Sequence, residues 1–415
     1  MLLRARILLP LSHPPLEDAA VRVTGQKIRA VGRWRDLAAG RRQDATDLGD
    51  VAVLPGFINA HCHLDYTDMA GRLPPQRSFT DWVKVITSAK AHFDLPDYRR
   101  SWLRGAAMLV QHGTTAVADV EAVPELLPEV WRETPLRVWS FLELTGILAR
   151  RQPDQVVRAA VAMLSRLPVG RCRVGLAPHA PYSTRPELLG RCAAVARRRG
   201  WRLTTHVAES DEEFEMFCRG RGAMFEWLQR NQRVMDDCGG GSPVRHLART
   251  GLLGPDLLAV HANYLAPGDA DLLARHGVSV VHCPRSHRYF RHRPCPLRRL
   301  LRAGVNVCLG TDSLATVLRT PEGPPQLSLF AEMQELARRE PWLRPRRIVQ
   351  MATSAGARAL GLTGRAGQIT PGAWADLIAI PYAGNTREVW EAIVHHQGHV
   401  AASMIAGQWV VPPAG

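Results

Sequence analysis

The stretch Val51-Ala-Val-Leu-Pro-Gly-Phe-Ile-Asn-Ala-His-Cys-His63 is an apolar run that ends in two histidines. On a strand, His61 and His63 point the same way, because side chains alternate across a strand. Both imidazoles can then reach one metal ion. In a chain with 16 histidines such a pair also arises by chance, so the spacing alone is only a hypothesis. Whether the pair binds a metal therefore depends on further ligands elsewhere in the chain.

Seven further apolar runs come after it, with amphipathic stretches such as 211–231 between them. With the first run, the predicted strands are Gly56–His63, Thr114–Val120, Leu136–Glu143, Arg173–Pro178, Arg202–Val207, Leu257–His261, Val278–His282 and Val305–Gly310. Eight strand–helix repeats predict an α/β protein with a parallel (β/α)8 TIM barrel. A doubly wound sheet is the alternative, but no Gly-x-Gly-x-x-Gly follows an early strand.

The two ends of the chain have a different pattern. Residues 1–54 alternate apolar and polar positions around turn signals. After about Gly364 the chain returns to short β-like pieces at 367–369, 375–380, 400–406 and 408–411. We therefore expect a small β-sandwich domain built from residues 1–54 and 365–415, beside a barrel of residues 55–364.

Potential metal ligands end many of the predicted strands, where barrel enzymes carry their chemistry. They are His61 and His63 after strand 1, His179 after strand 4, His206 after strand 5, His261 after strand 6, His282 after strand 7 and Asp312 after strand 8. Three imidazoles and a carboxylate suit one divalent cation, with Zn²⁺ expected and Fe²⁺ as the alternative. Such a metal would lower the pKa of a bound water toward ~7.

The net charge of +15 invites a nucleic-acid interpretation. Only Lys27, Lys84 and Lys90 are lysines, however, and the other 50 of the 53 basic residues are arginines spread along the chain. This pattern favours a compositional bias, and we expect no nucleic-acid partner. No apolar run is long enough for a membrane span, no signal peptide is evident, and the eight cysteines form no Cys-x-x-Cys motif. These features predict a cytoplasmic protein, and a homodimer stays open.

Together, several motifs resemble the amidohydrolase superfamily over essentially the whole chain. They are Pro55–His63, His206-Val-Ala-Glu209, His261-Ala-Asn263, His282-Cys-Pro284 and Gly310-Thr-Asp-Ser313, with Ala373–Leu377 similar to the small β domain of that superfamily. Binuclear members usually bridge two metals with a carboxylated lysine from strand 4. This chain has no lysine after Lys90, so the resemblance implies one metal and the branch of the adenosine and cytosine deaminases.

The stretches Pro178–Ser183 and His282–Phe290 narrow the resemblance to deaminases of adenine nucleosides. That group includes the S-adenosylhomocysteine, methylthioadenosine and aminodeoxyfutalosine deaminases. The implied reaction is hydrolytic deamination of a small heterocyclic substrate to its hypoxanthine form and ammonia. The alternatives are a hydrolase of another heterocycle, namely a guanine or pterin deaminase, a cyclic amidase or a chlorohydrolase, and a non-catalytic metal-binding protein on the same fold.

The resemblance also implies roles for individual residues. His61, His63, His206 and Asp312 would hold the metal, and Asp312 would also take a proton from the attacking water. Glu209 would protonate the adenine ring, and His261 would stabilise the tetrahedral intermediate. Three further residues are candidates for contacts with the substrate: His179, Trp82, which could stack on a base, and Ser286. Arg285, Arg288 and Arg291 could attract a substrate that bears a carboxylate.

Overall fold

Two sheets account for all the strands that the computed structural model describes, which covers residues 1–38, 45–148, 152–319 and 323–414. The strands are β1 (Leu2–Leu8), β2 (Leu16–Thr24), β3 (Lys27–Arg33), β4 (Ala45–Asp47), β5 (Val51–Pro55), β6 (Phe57–Cys62), β7 (Thr114–Glu121), β8 (Arg137–Leu144), β9 (Arg173–Pro178), β10 (Arg202–Val207), β11 (Leu257–His261), β12 (Ser279–His282), β13 (Asn306–Leu309), β14 (Leu377–Pro381), β15 (Ala402–Ile405) and β16 (Gln408–Val411).

Strands β6 to β13 form a parallel sheet in which every strand pairs with its neighbour in the chain. A parallel bridge between Cys62 and Asp312 joins the first strand to the segment after the last, and so closes the barrel. The backbone N–H of Thr311 donates to the His61 carbonyl at 3.0 Å across this seam. The predicted (β/α)8 barrel is therefore confirmed.

The helices that the structure describes mostly follow the barrel strands and cover them, and only the first and the last lie between strands of the second sheet. The helices are α1 (Trp34–Leu37), α2 (Phe79–Lys90), α3 (Leu95–Gln111), α4 (Leu127–Glu133), α5 (Pro153–Leu164), α6 (Pro186–Arg199), α7 (Asp211–Arg219), α8 (Ala223–Arg230), α9 (Pro243–Arg249), α10 (Asp269–Arg275), α11 (Pro284–Tyr289), α12 (Leu297–Arg302), α13 (Leu329–Arg339), α14 (Pro345–Met351), α15 (Ser354–Ala359) and α16 (Val389–Val394). Short 3₁₀ turns cover Leu64–Met69, Pro124–Leu126 and Leu314–Thr316. Among the described residues, none of these helices combines the length and apolar content that a membrane crossing requires.

The second sheet takes its strands from both ends of the chain. Its order is β16-β15-β14-β5-β1-β2-β3, with β4 paired to β1. Its two faces have different neighbours, as the alternation of side chains requires. Val53 and Leu377 pack within the small domain, while Leu54 and Ile378 belong to the large core that surrounds the barrel. The predicted β domain from both chain ends is thus present as one mixed sheet, and its boundaries at 54 and 365 stay a prediction.

The structure differs from the sequence-based expectations in two places. The predicted helix over 211–231 is two helices, α7 and α8, because Gly220 ends the first in the left-handed conformation at φ 62°. The expected β piece at 367–369 is not a strand; Ile369 makes a single backbone hydrogen bond to the Pro10 carbonyl at 3.0 Å. Neither difference moves a predicted site residue.

Candidate metal centre

Six side chains predicted as site residues meet at the carboxyl ends of the barrel strands. His61, His63 and His206 offer ligand atoms within 4.8 Å of one another, and Glu209, His261 and Asp312 form a second group within the same limit. The two groups adjoin, since Asp312 Oδ1 lies 3.5 Å from His61 Nε2 and 3.7 Å from His63 Nε2. All six side chains are buried. The structure therefore brings together the residues that the sequence proposed for one site, and their roles stay a prediction.

The backbone around the centre is tightly constrained. A Cβ atom on Gly310 would lie 2.8 Å from the His61 Cβ atom and 2.9 Å from Val281, so only glycine fits where β13 approaches β6. His261 has φ 75° and Asp312 has φ 53°, both in the left-handed region that non-glycine residues rarely adopt. Such strain collects at functional sites, where the surrounding structure holds it in place.

The geometry of the imidazoles fits a bound cation. His206 Nδ1 lies 2.9 Å from the His179 carbonyl oxygen, which can only accept a hydrogen bond. The proton is therefore on Nδ1, and the Nε2 lone pair of His206 faces His63 Nε2 at 3.4 Å. Zn–N distances of ~2.0–2.1 Å place two ligands of a tetrahedral site about 3.4 Å apart. His61 Nε2 is also buried without a hydrogen-bond partner.

Burial favours the neutral form of His63, His206 and His261, and a histidine that binds a metal must be neutral. It lowers the pKa of His63 to about 3, with the neighbouring His61 adding to the effect. Burial also lowers the pKa of His206 well below its usual range and that of His261 to about 3. The donor set of three imidazoles and one carboxylate thus matches a divalent metal of the Zn²⁺ or Fe²⁺ type.

Asp312 is held by hydrogen bonds on the oxygen that faces away from the imidazoles. Ser286 Oγ donates to Asp312 Oδ2 at 2.6 Å and Thr316 Oγ1 donates to it at 3.3 Å. Burial alone would raise the pKa of Asp312, but the contact with His61 and the surrounding histidines hold it well below its usual range. Asp312 is therefore an ionised carboxylate with its Oδ1 atom free for the centre.

Glu209 has the opposite electrostatic environment. Burial raises the pKa of Glu209 well above its usual range, and the charge of Asp312 raises it further. Its Oε1 atom lies 3.4 Å from His261 Nε2, which has no hydrogen-bond partner. The Asn263 amide donates to the Glu209 carbonyl at 3.0 Å, and the Glu209 N–H donates to Glu213 at 2.8 Å. The pKa values of the two carboxyl groups in the site are thus shifted in opposite directions.

A cavity of about 440 Å³ opens above the centre. His179 and Trp82 lie on its wall, as their predicted role as substrate contacts requires. Ser286 is not on the wall; it is buried behind Asp312, and its substrate contact stays a prediction. Apolar side chains supply most of the remaining wall, namely Phe79, Val83, Ile86, Ile147, Trp227 and Leu228.

Two of the three arginines considered as anchors for a carboxylate have internal partners. Arg285 Nε donates to Glu332 at 2.5 Å, and Arg288 lies 3.3 Å from Glu335. Arg291 lines a neighbouring cavity of about 600 Å³, which shares Phe79 and Trp82 with the first. His282, which ends β12, is buried and does not line the 440 Å³ cavity.

Several residues that line this cavity were not singled out in the sequence. Among them are Tyr66, Lys90 and Glu143. Glu143 is a carboxylate near the end of a predicted strand, which is the signal that identified the other site residues. Lys90 is one of three lysines in an arginine-rich chain. No sequence pattern marks Tyr66, whose ring stacks on His63 at 5.3 Å.

Comparisons with known proteins agree with this geometry. The model of the amidohydrolase family matches residues 52–410. The chain is 31% identical to the 5-methylthioadenosine/S-adenosylhomocysteine deaminase of Syntrophobacter fumaroxidans, over 91% of this chain and 87% of that protein. A zinc-bound adenosine deaminase from Xanthomonas campestris superposes with a TM-score of 0.83 at 25% identity, covering 98% and 92% of the two chains. The aminofutalosine deaminase of Helicobacter pylori shares the fold, with a TM-score of 0.86 at 22% identity over 99% and 100%.

Proposed function

The chain belongs to the amidohydrolase family, and on that basis we propose that it hydrolytically deaminates adenine nucleosides. It is a hydrolase that acts on a carbon–nitrogen bond outside peptides. The observation that carries the proposal is the convergence of Glu209, His261 and Asp312 beside the imidazoles of His61, His63 and His206. The substrate class extends to nucleosides with a modified 5′ carbon, of the methylthioadenosine, S-adenosylhomocysteine or aminodeoxyfutalosine type.

His61, His63, His206 and Asp312 would hold one divalent metal, with zinc as the expected ion. When bound, such an ion activates water as a nucleophile at neutral pH. The unpartnered Nε2 atom of His61 and the 3.4 Å approach of His63 to His206 support this assignment. The absence of any lysine beyond Lys90 supports a single ion.

The chain's own residues supply the proton transfers. Asp312 is ionised, so its Oδ1 atom can accept a proton from the attacking water. The raised pKa of Glu209 favours its protonated form, which can donate to the ring nitrogen next to the carbon that is attacked. His261 lies against Glu209 and can donate a hydrogen bond to the oxygen that becomes negative. The amino group takes the proton held by Asp312 and leaves as ammonia, and the hydroxyl proton of the tetrahedral intermediate returns to Glu209 as the carbonyl group forms.

A nucleoside panel tests the reaction. The metal-replete protein is incubated with adenosine, methylthioadenosine, S-adenosylhomocysteine and aminodeoxyfutalosine, and the absorbance change from adenine to hypoxanthine is followed with ammonia release. We expect turnover of at least one nucleoside with one ammonia per product. If none of the four nucleosides is turned over but guanine, a pterin, a cyclic amide or a chlorinated heterocycle is, the proposed substrate class is wrong and that compound indicates the correct one. No turnover of any of these compounds, with far less than one metal per chain, would indicate a non-catalytic protein.

Glu209→Gln tests the role of the protonated carboxyl group. The amide keeps the shape of the side chain but cannot transfer a proton, so we expect kcat to fall by roughly 10²–10⁴-fold. The metal content should stay at the wild-type value, because Glu209 is not among the proposed ligands. Glu215→Gln on α7, partly exposed beside Arg221, is the matched control and should leave kcat unchanged. A kcat within a few-fold of wild type in Glu209→Gln would contradict the assignment.

A further inference from the structure

Lys90 and Glu143 form an ion pair on the cavity wall that the proton transfers do not use. The Lys90 Nζ atom lies 3.9 Å from Glu143 Oε1, which is close enough for charge attraction and too far for a hydrogen bond. Neither charged group hydrogen-bonds to another side chain or backbone group in the described part of the chain. Both stay partly accessible, with 29% of the Lys90 side chain and 13% of the Glu143 side chain exposed. The pair therefore presents an unused donor and an unused acceptor to the cavity.

The position of the pair is fixed relative to the metal centre. Lys90 Nζ lies 4.8 Å above the Tyr66 ring, and that ring stacks on the proposed ligand His63 at 5.3 Å. Two ring contacts thus separate the ammonium group from the centre. A nucleoside whose purine ring lies at the centre has its sugar within this reach.

Lys90 is also the only cation among the described residues that line this cavity. The chain contains 50 arginines, and none of those in the described ranges contributes to the wall. Apart from Glu209 and Asp312 at the centre, Glu143 is the only carboxylate there. The pair is therefore the one charged feature of an otherwise largely apolar wall.

We propose that Glu143 and Lys90 are specificity-determining residues that bind the 2′,3′-diol of the substrate's ribose. The inference rests on the proposed function and extends it to the sugar. A carboxylate accepts hydrogen bonds from hydroxyl groups, and an ammonium group donates to a hydroxyl oxygen. The hydroxyl groups of a diol can donate to the carboxylate and accept from the ammonium group. Because a diol is neutral, it adds no charge next to the ion pair. A carboxylated tail would be repelled by Glu143, and a cationic tail would be repelled by Lys90.

The test crosses protein variants with substrate variants. We measure kcat/KM of the metal-replete wild type, Glu143→Gln and Lys90→Met with adenosine, 2′,3′-dideoxyadenosine and S-adenosylhomocysteine. Glu143→Gln should lower kcat/KM for adenosine roughly tenfold, the effect of losing a hydrogen bond to a charged group. The value for 2′,3′-dideoxyadenosine should stay within about twofold, because that nucleoside never makes the contact. Lys90→Met should also lower the ratio of kcat/KM for adenosine to kcat/KM for 2′,3′-dideoxyadenosine. It provides a second variant if Glu143→Gln fails to fold.

Lys84→Met is the matched control, since Lys84 lies on the same helix α2 but bonds to Asp81 at 2.9 Å and does not line the cavity. It should leave both kcat/KM values unchanged. An equal fall for adenosine and 2′,3′-dideoxyadenosine in both cavity variants would mean that the pair is structural, and would overturn the inference. A loss confined to S-adenosylhomocysteine would also overturn it, because the pair would then contact the tail. If the wild type deaminates none of the nucleosides, the proposed function fails, and this inference with it.

Discussion

The two carboxylate oxygens of Asp312 have different neighbours. Oδ1 faces His61 and His63, while Oδ2 accepts hydrogen bonds from Ser286 and Thr316. Hydrogen bonds of this kind orient a ligating carboxylate and tune it. Ser286 was predicted to contact the substrate, but its hydroxyl group lies 2.6 Å from Asp312 instead. The structure therefore offers a different physical role for the same residue, and a kinetic experiment can separate the two.

Ser286→Ala removes the shorter of the two hydrogen bonds to Oδ2. We expect kcat to fall roughly tenfold or more, with weaker metal affinity and little change in KM, because the carboxylate loses its orientation. Steady-state kinetics and metal titration measure both effects. Ser403→Ala is a control at another buried serine, whose hydroxyl has no hydrogen-bond partner, and it should have no kinetic effect. A raised KM with unchanged kcat in Ser286→Ala would instead support the predicted contact between Ser286 and the substrate.

Glu213 makes stability depend on pH. Burial raises the pKa of Glu213 from its ordinary value of 4.5 to about 7, although backbone N–H groups including that of Glu209 oppose the shift. Between pH 4.5 and 7 the folded chain thus binds this proton more tightly than the unfolded chain. The contribution of Glu213 is fully present below about pH 4.5 and is lost as pH rises through 7.

Glu213→Gln removes this dependence. Relative to wild type, we expect the variant's free energy of unfolding to increase by roughly 3 kcal/mol from pH 4.5 to 7 and to stay level above that. Urea unfolding at a series of pH values measures it. The difference between the two proteins cancels the titration of all other groups. A difference that is constant across the series would show that the pKa of Glu213 is not raised.

At the scale of elements, the regular pattern was predictable and its interruptions were not. Each of the eight predicted barrel strands corresponds to an observed one, because apolar runs and amphipathic stretches have different periods. The break between α7 and α8 was missed, although Gly220 and Gly222 are visible in the sequence. A glycine ends a helix only where the chain must turn, and that depends on what packs beyond it.

Ion pairs between elements that are far apart in the sequence could not be predicted either. Arg137 at the start of β8 binds Asp376 before β14 with two hydrogen bonds, of 2.7 and 3.2 Å, and both side chains are buried. The guanidinium group also lies 3.9 Å from the centre of the Trp374 ring, and Asp376 accepts a hydrogen bond from the Ala406 N–H. The pair joins the barrel to the small domain. Arg137 and Asp376 are 239 residues apart in the sequence, so no local sequence pattern predicts their ion pair.

Asp376→Asn leaves the Arg137 charge buried without its counter-charge. We expect the free energy of unfolding to fall by about 3–5 kcal/mol, as for other broken buried pairs. Asp18→Asn breaks a solvent-exposed ion pair with Arg4 at 2.8 Å and should cost less than about 1 kcal/mol. Denaturant unfolding of both variants gives the comparison. Equal small losses would show that the buried pair does not stabilise the domain contact.

For the whole molecule, the sequence predicted the barrel, and the residues that it proposed as metal ligands lie together in the structure. Parallel strands bring their carboxyl ends to one rim, so residues far apart in sequence become neighbours as soon as the fold is known. The sequence predicted only part of the cavity wall, namely His179 and Trp82. Lys90 and Tyr66 reach it from α2 and a 3₁₀ turn, whose placement depends on packing. Strand order therefore specifies the centre, while loop packing specifies what the centre can bind.

The metal itself should stabilise the whole fold. His61, His63, His206 and Asp312 come from β6, β10 and the segment after β13, and the contact between β6 and that segment closes the barrel. Without the ion, the Nε2 atom of His61 is buried with no hydrogen-bond partner. An ion that binds only the folded chain adds about 2.7 kcal/mol when present at 100 times its Kd.

Removing the metal with a chelator should therefore lower Tm and abolish deamination, and one equivalent of Zn²⁺ should restore both. Calorimetry with elemental analysis of the same samples measures this. His206→Ala should bind less than one metal per chain and show no Tm gain on adding Zn²⁺, whereas His276→Ala, at an exposed position after α10, should behave as wild type. Two metals per chain at full activity would contradict the single centre. A chelated protein with unchanged Tm would mean that the barrel closes without help from the ion, and that the four ligands are held in place by their protein neighbours alone.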